Sequence, residues 1–143
     1  MRWEDIVAEI AAQGGYTPNL HPKALKELEG ILQRNASTAK MVAAAIIKLC
    51  KNPLPHDMGG VGNRLGKRNE TGDLRPLLYV KLRDIGIRIV YALSHAVNDK
   101  DRNRIDKTVT IVVISKREDM EAYLDALRRK ADLPADWPEE WIK

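Results

Sequence analysis

The sequence predicts one α+β domain in which an N-terminal helical hairpin packs on a small twisted antiparallel sheet and a C-terminal helix follows the last strand. Three observations carry that expectation. Apolar residues recur at helical spacing up to Leu49, the period changes to two from Leu77, and it returns to helical after Lys116-Arg117. With 143 residues and 44% apolar composition, the chain suits a single core and leaves little room for a second folded unit. The expected domain spans residues 1–130, with residues 1–15 as an additional helix and 131–143 as an acidic tail.

Trp3, Ile6, Val7 and Ile10 fall at i, i+3, i+4 and i+7, an amphipathic helix stopped by Gly14-Gly15. Leu25, Leu28, Ile31 and Leu32 repeat the pattern after Pro22, which fits the first turn because a missing N–H costs nothing there. Asn35 is a suitable N-cap for a third helix through Val42, Ala45, Ile46 and Leu49, ended by Asn52-Pro53. Helices two and three form the hairpin. Residues 52–75 hold five of the nine glycines and read as a long, mobile loop. Its segment Gly59 to Lys67 fails as a phosphate loop, since Val61 stands where the first glycine belongs and Arg68 where Ser or Thr is needed.

Leu77–Arg83 and Ile87–Leu93 alternate as two strands joined at Asp84-Ile85-Gly86. An even connection sets Arg83 opposite Arg88, with Lys81 and Tyr79 on the same side and Leu78, Val80, Leu82, Ile89, Tyr91 and Leu93 on the other. One face is then core and the other cationic. The polar residues 94–107 separate this hairpin from a third strand, Thr108–Ser115, and Met120, Tyr123, Leu124 and Leu127 mark a helix from Glu118 to about Lys130. Pro134, Trp137, Pro138 and Trp141 make the remainder an extended tail whose tryptophans suit an apolar groove.

The 24 Lys and Arg exceed the 20 Asp and Glu, for a net charge of +4. Both ends are acidic, so the positive excess lies between residues 16 and 130. Such a body attracts polyanions, nucleic acid above all. No apolar run approaches the ~18 residues of a membrane span, and the N-terminus lacks the basic-then-apolar pattern of a signal peptide, so a cytoplasmic protein without a membrane partner is expected. Cys50 has no partner for an internal disulfide, and His21, His56 and His95 show no metal-ligand spacing, so neither metal nor cofactor is expected.

Lys81, Arg83 and Arg88 on one sheet face, with Lys116-Arg117 at the end of the neighbouring strand and Tyr123 beyond, make a phosphate site plausible. Cleaving RNA requires removal of the 2′-proton, stabilisation of charge on the phosphate oxygens and protonation of the leaving 5′-oxygen. Adjacent positive charge favours a phenolate, which makes Tyr123 a usable base, and arginine fits phosphate oxygens bidentately. The plainer alternatives are a Tyr123 that packs on the apolar stripe of its helix, a solvated cationic face, a Cys50 that fills core, and tryptophans that anchor packing.

The run from Tyr79 to Tyr91, then Val112-Val113-Ile114-Ser115-Lys116-Arg117-Glu118 and Tyr123, resembles the RelE/ParE family of bacterial toxins, and so does the helical stretch opening at Ala24-Leu25-Lys26-Glu27-Leu28. The resemblance spans about residues 20 to 130. It implies a toxin neutralised by an antitoxin and, for the RelE-like branch, cleavage of mRNA in the ribosomal A site. The residues matching that branch's functional set are Lys81, Arg88, Arg117 and Tyr123, with Arg83, Lys116 and Tyr79 as RNA contacts. Tyr79 stands where a well-studied branch has lysine. The family's N-terminal strand is not evident, Tyr16–Leu20 being a poor candidate, and residues 94–107 read as an insertion. A ParE-like inhibitor of DNA gyrase and a non-catalytic binding module are the alternatives.

Overall fold

The structure, a computed structural model, describes residues 2–69, 71–116 and 119–133. In chain order it comprises α1 (Trp3–Gln13), β1 (Thr17–Leu20), α2 (Pro22–Arg34), α3 (Ala36–Lys51), a 3-10 turn (His56–Met58), β2 (Asn63–Arg64), β3 (Lys67–Arg68), β4 (Gly72–Asp73), β5 (Leu78–Leu82), β6 (Ile87–Val97), β7 (Ile105–Ser115) and α4 (Asp119–Lys130). The helices start where their caps put them. His21 Nδ1 accepts the Lys23 N–H ahead of Pro22, and Asn35 Oδ1 accepts the N–H groups of Ser37 and Thr38.

The main sheet runs β1-β7-β6-β5-β2, with β3 and β4 forming a separate two-stranded ribbon. It is antiparallel except for β1, which pairs in parallel with β7 from Thr17↔Thr108 to Leu20↔Ile111. The expected α+β architecture is therefore present, but with a mixed sheet. A strand at Thr17–Leu20 also corrects the expectation that none lies there. Pro18 is tolerated because β1 is an edge strand with one side free of ladder bonds.

The polar residues 94–107, expected to separate the hairpin from the third strand, are themselves strand at both ends. They extend β6 and β7 as one long ribbon from Ser94↔Thr108 to Val97↔Ile105. Neither apolar cluster includes a described residue between 94 and 108, so this part of the ribbon needs no apolar alternation and its strands read as polar loop. Asn98 Oδ1 turns the tip by accepting from Lys100 N and Asp101 N, and Tyr16 Oη, 2.8 Å from His95 Nε2, ties the ribbon to the start of β1. Residues 52–75 likewise carry structure: the 3-10 turn, β2 on the sheet edge, and the β3–β4 ribbon. The glycines here serve close backbone approach. A methyl group at Gly60 would run into the Leu54 carbonyl, and one at Gly62 into the hydroxyl of buried Tyr91, which donates to Pro53 O at 2.8 Å.

Both faces of the sheet carry an apolar cluster, which corrects the expectation of one apolar and one wholly cationic face. On one face Leu78, Ile89, Tyr91, Leu93, Val109 and Ile111 pack with Ile6, Ile10, Leu28, Val42, Ile46 and Leu49 of the first three helices. On the other, Val90, Ala92, Val112 and Val113 meet Ala122, Tyr123 and Ala126 of α4 and Leu65, Leu74 and Leu77 of the 52–77 segment. Each large aliphatic side chain buried this way contributes roughly 1.5–3 kcal/mol.

Candidate nucleic-acid interface

Strand register assembles the cations. Leu82 pairs with Ile87, so residues 83–86 form the turn and Lys81, not Arg83, stands opposite Arg88. Arg88 pairs in turn with Ser115 of β7. Lys81, Arg88 and Ser115 thus make one rung across three strands, and Tyr79, Val90 and Val113 make the next on the same face. The helix α4 covers the second rung but not the first: Tyr79, Val90 and Val113 belong to its apolar cluster, whereas Lys81 is exposed and Arg88 half-buried. Arg83, exposed in the turn, and Lys116, exposed just past β7, flank the rung.

Tyr123 is 4% exposed and sits in the apolar cluster beneath α4. Its ring lies 5.9 Å from that of Tyr79, tilted by 55°, and the Arg68 guanidinium caps it at 4.7 Å from the ring centroid. The structure therefore brings Tyr79 and Tyr123 together as a wall beside the cationic rung. Arg117 lies outside the described residues, as does the tail from residue 134. Asp132 and Leu133, just before that point, contact the body, Asp132 through a 2.8 Å bond from His21 Nε2. Since Nδ1 of that imidazole accepts, Nε2 carries the proton.

The sequence pattern did not single out Arg68 as a partner of Tyr123. It stands 55 positions earlier, on a two-residue strand that no periodicity could reveal, and only the close packing of Gly72 on Leu127 and a 3.1 Å bond from Lys130 Nζ to Asp73 O show how its ribbon docks on α4. Nor did it pair Glu27 with Arg129, whose Nη1 donates to Glu27 Oε1 at 2.6 Å and to Val112 O at 2.8 Å.

Other cations of the 52–75 segment are already engaged. Asp57 holds Arg64 and Asp73 holds Arg75, and these guanidinium groups keep both carboxyls below the usual carboxylate range. Lys81, Arg83 and Lys116 have no such carboxylate partner among the described residues. No group of three His, Cys, Asp or Glu is placed to hold a metal ion among those residues, and no described helix is long and apolar enough to cross a membrane.

No protein-family model and no curated protein matches the chain. Solved structures do: a doubly substituted mutant of the E. coli toxin RelE in the free state superposes with a TM-score of 0.51 at 20% identity, covering 81% of this chain and 98% of that one. The chain has a RelE-like fold. The isolated E. coli RelE toxin is a second neighbour, 19% identical over 82% of this chain and 99% of its own, with a TM-score of 0.44. The rung, the aromatic wall and the helical hairpin all lie within one RelE-like body, to which α1 is joined by packing on α3.

Proposed function

We propose that this RelE-like chain is the toxin of a type II toxin–antitoxin system, a cytoplasmic endoribonuclease that cuts mRNA on the ribosome and is neutralised by an antitoxin. One observation carries the reading: Lys81 stands directly opposite Arg88 on a rung that α4 does not cover, beside two tyrosines. Two cationic side chains at facing positions of a ladder give an anion two adjacent positive ligands. A backbone phosphate is such an anion, and arginine meets its oxygens bidentately.

In this mechanism Tyr123 or Lys81 takes the proton of the 2′-hydroxyl, whose oxygen attacks the adjacent phosphorus. Arg88 stabilises the charge that builds on the phosphate oxygens. Arg117 or a neighbouring cation assists departure of the 5′-oxygen, which leaves with a proton. The products are a 2′,3′-cyclic phosphate and a 5′-hydroxyl. Arg83, Lys116 and Tyr79 hold the strand on either side. The burial of Tyr123 favours a second reading, in which its ring is packing and the cationic rung only binds, as in a gyrase inhibitor.

Mapping RNA ends on translating ribosomes separates the two. Parental protein should produce discrete cuts bearing 5′-hydroxyl ends, and Arg88→Ala should slow them by about 10²–10³-fold. Intact transcripts accompanied by double-strand DNA breaks would instead establish the gyrase reading.

A further inference from the structure

A groove of about 410 Å³ lies between α2, the start of α3 and the end of β7. Its walls include Lys26, Gly30 and Arg34 from α2, Thr38 from α3, Ser115 at the end of β7 and Lys116 just past it. We propose that this groove binds a backbone phosphate of the RNA strand next to the one held at Lys81 and Arg88; the inference rests on the nuclease reading for its substrate.

Four observations support it. First, the groove is cationic in effect. Its one carboxylate, Glu27, is committed to Arg129 and to the Ile114 N–H, while Lys26, Arg34 and Lys116 have no carboxylate within ion-pair distance among the described residues. Second, it adjoins the rung. Ser115 lines the groove and also pairs with Arg88, so one strand spacing of ~4.8 Å separates the two positions along the sheet.

Third, Gly30 is a glycine inside a helix without a backbone need for it. Its φ is not positive, and an added Cβ would meet only Arg34 Nη2, at an ordinary 3.7 Å. Alanine would fit and favour the helix, so what the missing side chain provides is clearance for something that approaches between Lys26 and Arg34. Fourth, the free edge of β7 is closed to another strand. The strand β1 pairs only with residues 108–111; beyond it, Arg129 takes Val112 O and Glu27 takes Ile114 N–H. An extended peptide finds those ladder groups occupied, whereas a phosphate needs only the side-chain cations. The α3 N-terminal amides of Ser37 and Thr38 are likewise taken by Asn35, which leaves the side chains as the anion's ligands.

The test is fluorescence anisotropy with a labelled single-stranded RNA carrying 2′-O-methyl groups, which cannot be cut, across a salt series. The Lys26→Ala/Arg34→Ala protein should bind about 10-fold more weakly, and the slope of log affinity against log salt should fall by about 0.7 for each phosphate that is no longer neutralised. Gly30→Ala should melt about 2–5 °C higher yet bind RNA more weakly, a combination that a purely structural glycine does not produce. Unchanged affinity and slope in the double variant would overturn the groove, and if the parental protein still cuts transcripts the nuclease reading survives without it. Groove-dependent binding with no cleavage of natural RNA would keep the groove and remove the nuclease. If the parental protein binds no RNA, both fall. If a Glu-rich peptide loses affinity in the double variant while RNA does not, the groove belongs to a protein partner and the proposal is overturned.

Discussion

The guanidinium of Arg68 sits over the face of the Tyr123 ring, 4.7 Å from its centroid, with its Nε buried and without a hydrogen-bond partner among the described residues. The ring is thus what holds this head group, and such contacts contribute about 0.5–2 kcal/mol. Arg68→Ala should lower the urea-derived stability by that amount, and Arg68→Met, which keeps the apolar stem, by less. Tyr123→Phe keeps the ring and should leave stability within about 1 kcal/mol of the parent. Loss of RNA cleavage in that protein would make the phenol the base; retained cleavage would assign the proton to Lys81.

Lys81 and Arg88 face each other across β5 and β6. Lys81→Glu puts an anion in place of a cation at an exposed position of the rung, so it should change stability by no more than about 0.5 kcal/mol while abolishing cleavage. Paired denaturation and cleavage assays check both, and a large loss of stability would refute an exposed Lys81.

Glu27 and Arg129 clasp α2 to α4 over the open edge of β7, with the Arg129 side chain 9% exposed. Glu27→Ala leaves that guanidinium without its counter-ion and should cost about 3–5 kcal/mol, whereas Glu27→Ala combined with Arg129→Met should cost less than the single change. Equilibrium urea unfolding of the three proteins decides this.

Cys50 is fully buried in α3, and burial pushes its thiol up to about 12. No thiolate forms at pH 8, so alkylation by iodoacetamide should be slow in native protein and rapid once urea unfolds it. Fast alkylation without denaturant would show that α3 is not seated as described.

Asp73 is held below the usual carboxylate range by Arg75, and Asp57 and Asp106 by Arg64 and by Asn98 with Arg104. Because their folded values lie below the unfolded ~3.9, the stability they contribute is complete above about pH 4 and is lost as pH falls through the folded values. These pairs are exposed, so the acid loss should be small and shrink in high salt. Urea midpoints from pH 6 to 2 at two salt concentrations measure it, and Asp73→Asn should flatten part of the profile.

Local chemistry was sufficient for the helices. Pro22, Asn35 and Asn52-Pro53 set their ends, and the 3.6-residue period chose their buried faces, because both signals act within a few residues. Period-two alternation likewise located β5 and the core half of β6, where burial imposes the pattern. It failed for β1, for the polar extension of β6 and β7, and for the two-residue strands, all of which owe their form to a neighbour rather than to their own composition.

The candidate site divides the same way. That Tyr79, Lys81 and Arg88 share a face follows from strand alternation in the sequence. Which cation stands opposite which depended on turn length, and that α4 covers Tyr79 while leaving Lys81 open depended on where a helix docks. The capping of Tyr123 by Arg68 and the sealing of the β7 edge by Glu27 and Arg129 join residues 55 and 102 positions apart. Ring faces, buried ion pairs and strand edges are satisfied by whatever the chain brings alongside, so only the folded arrangement could decide them.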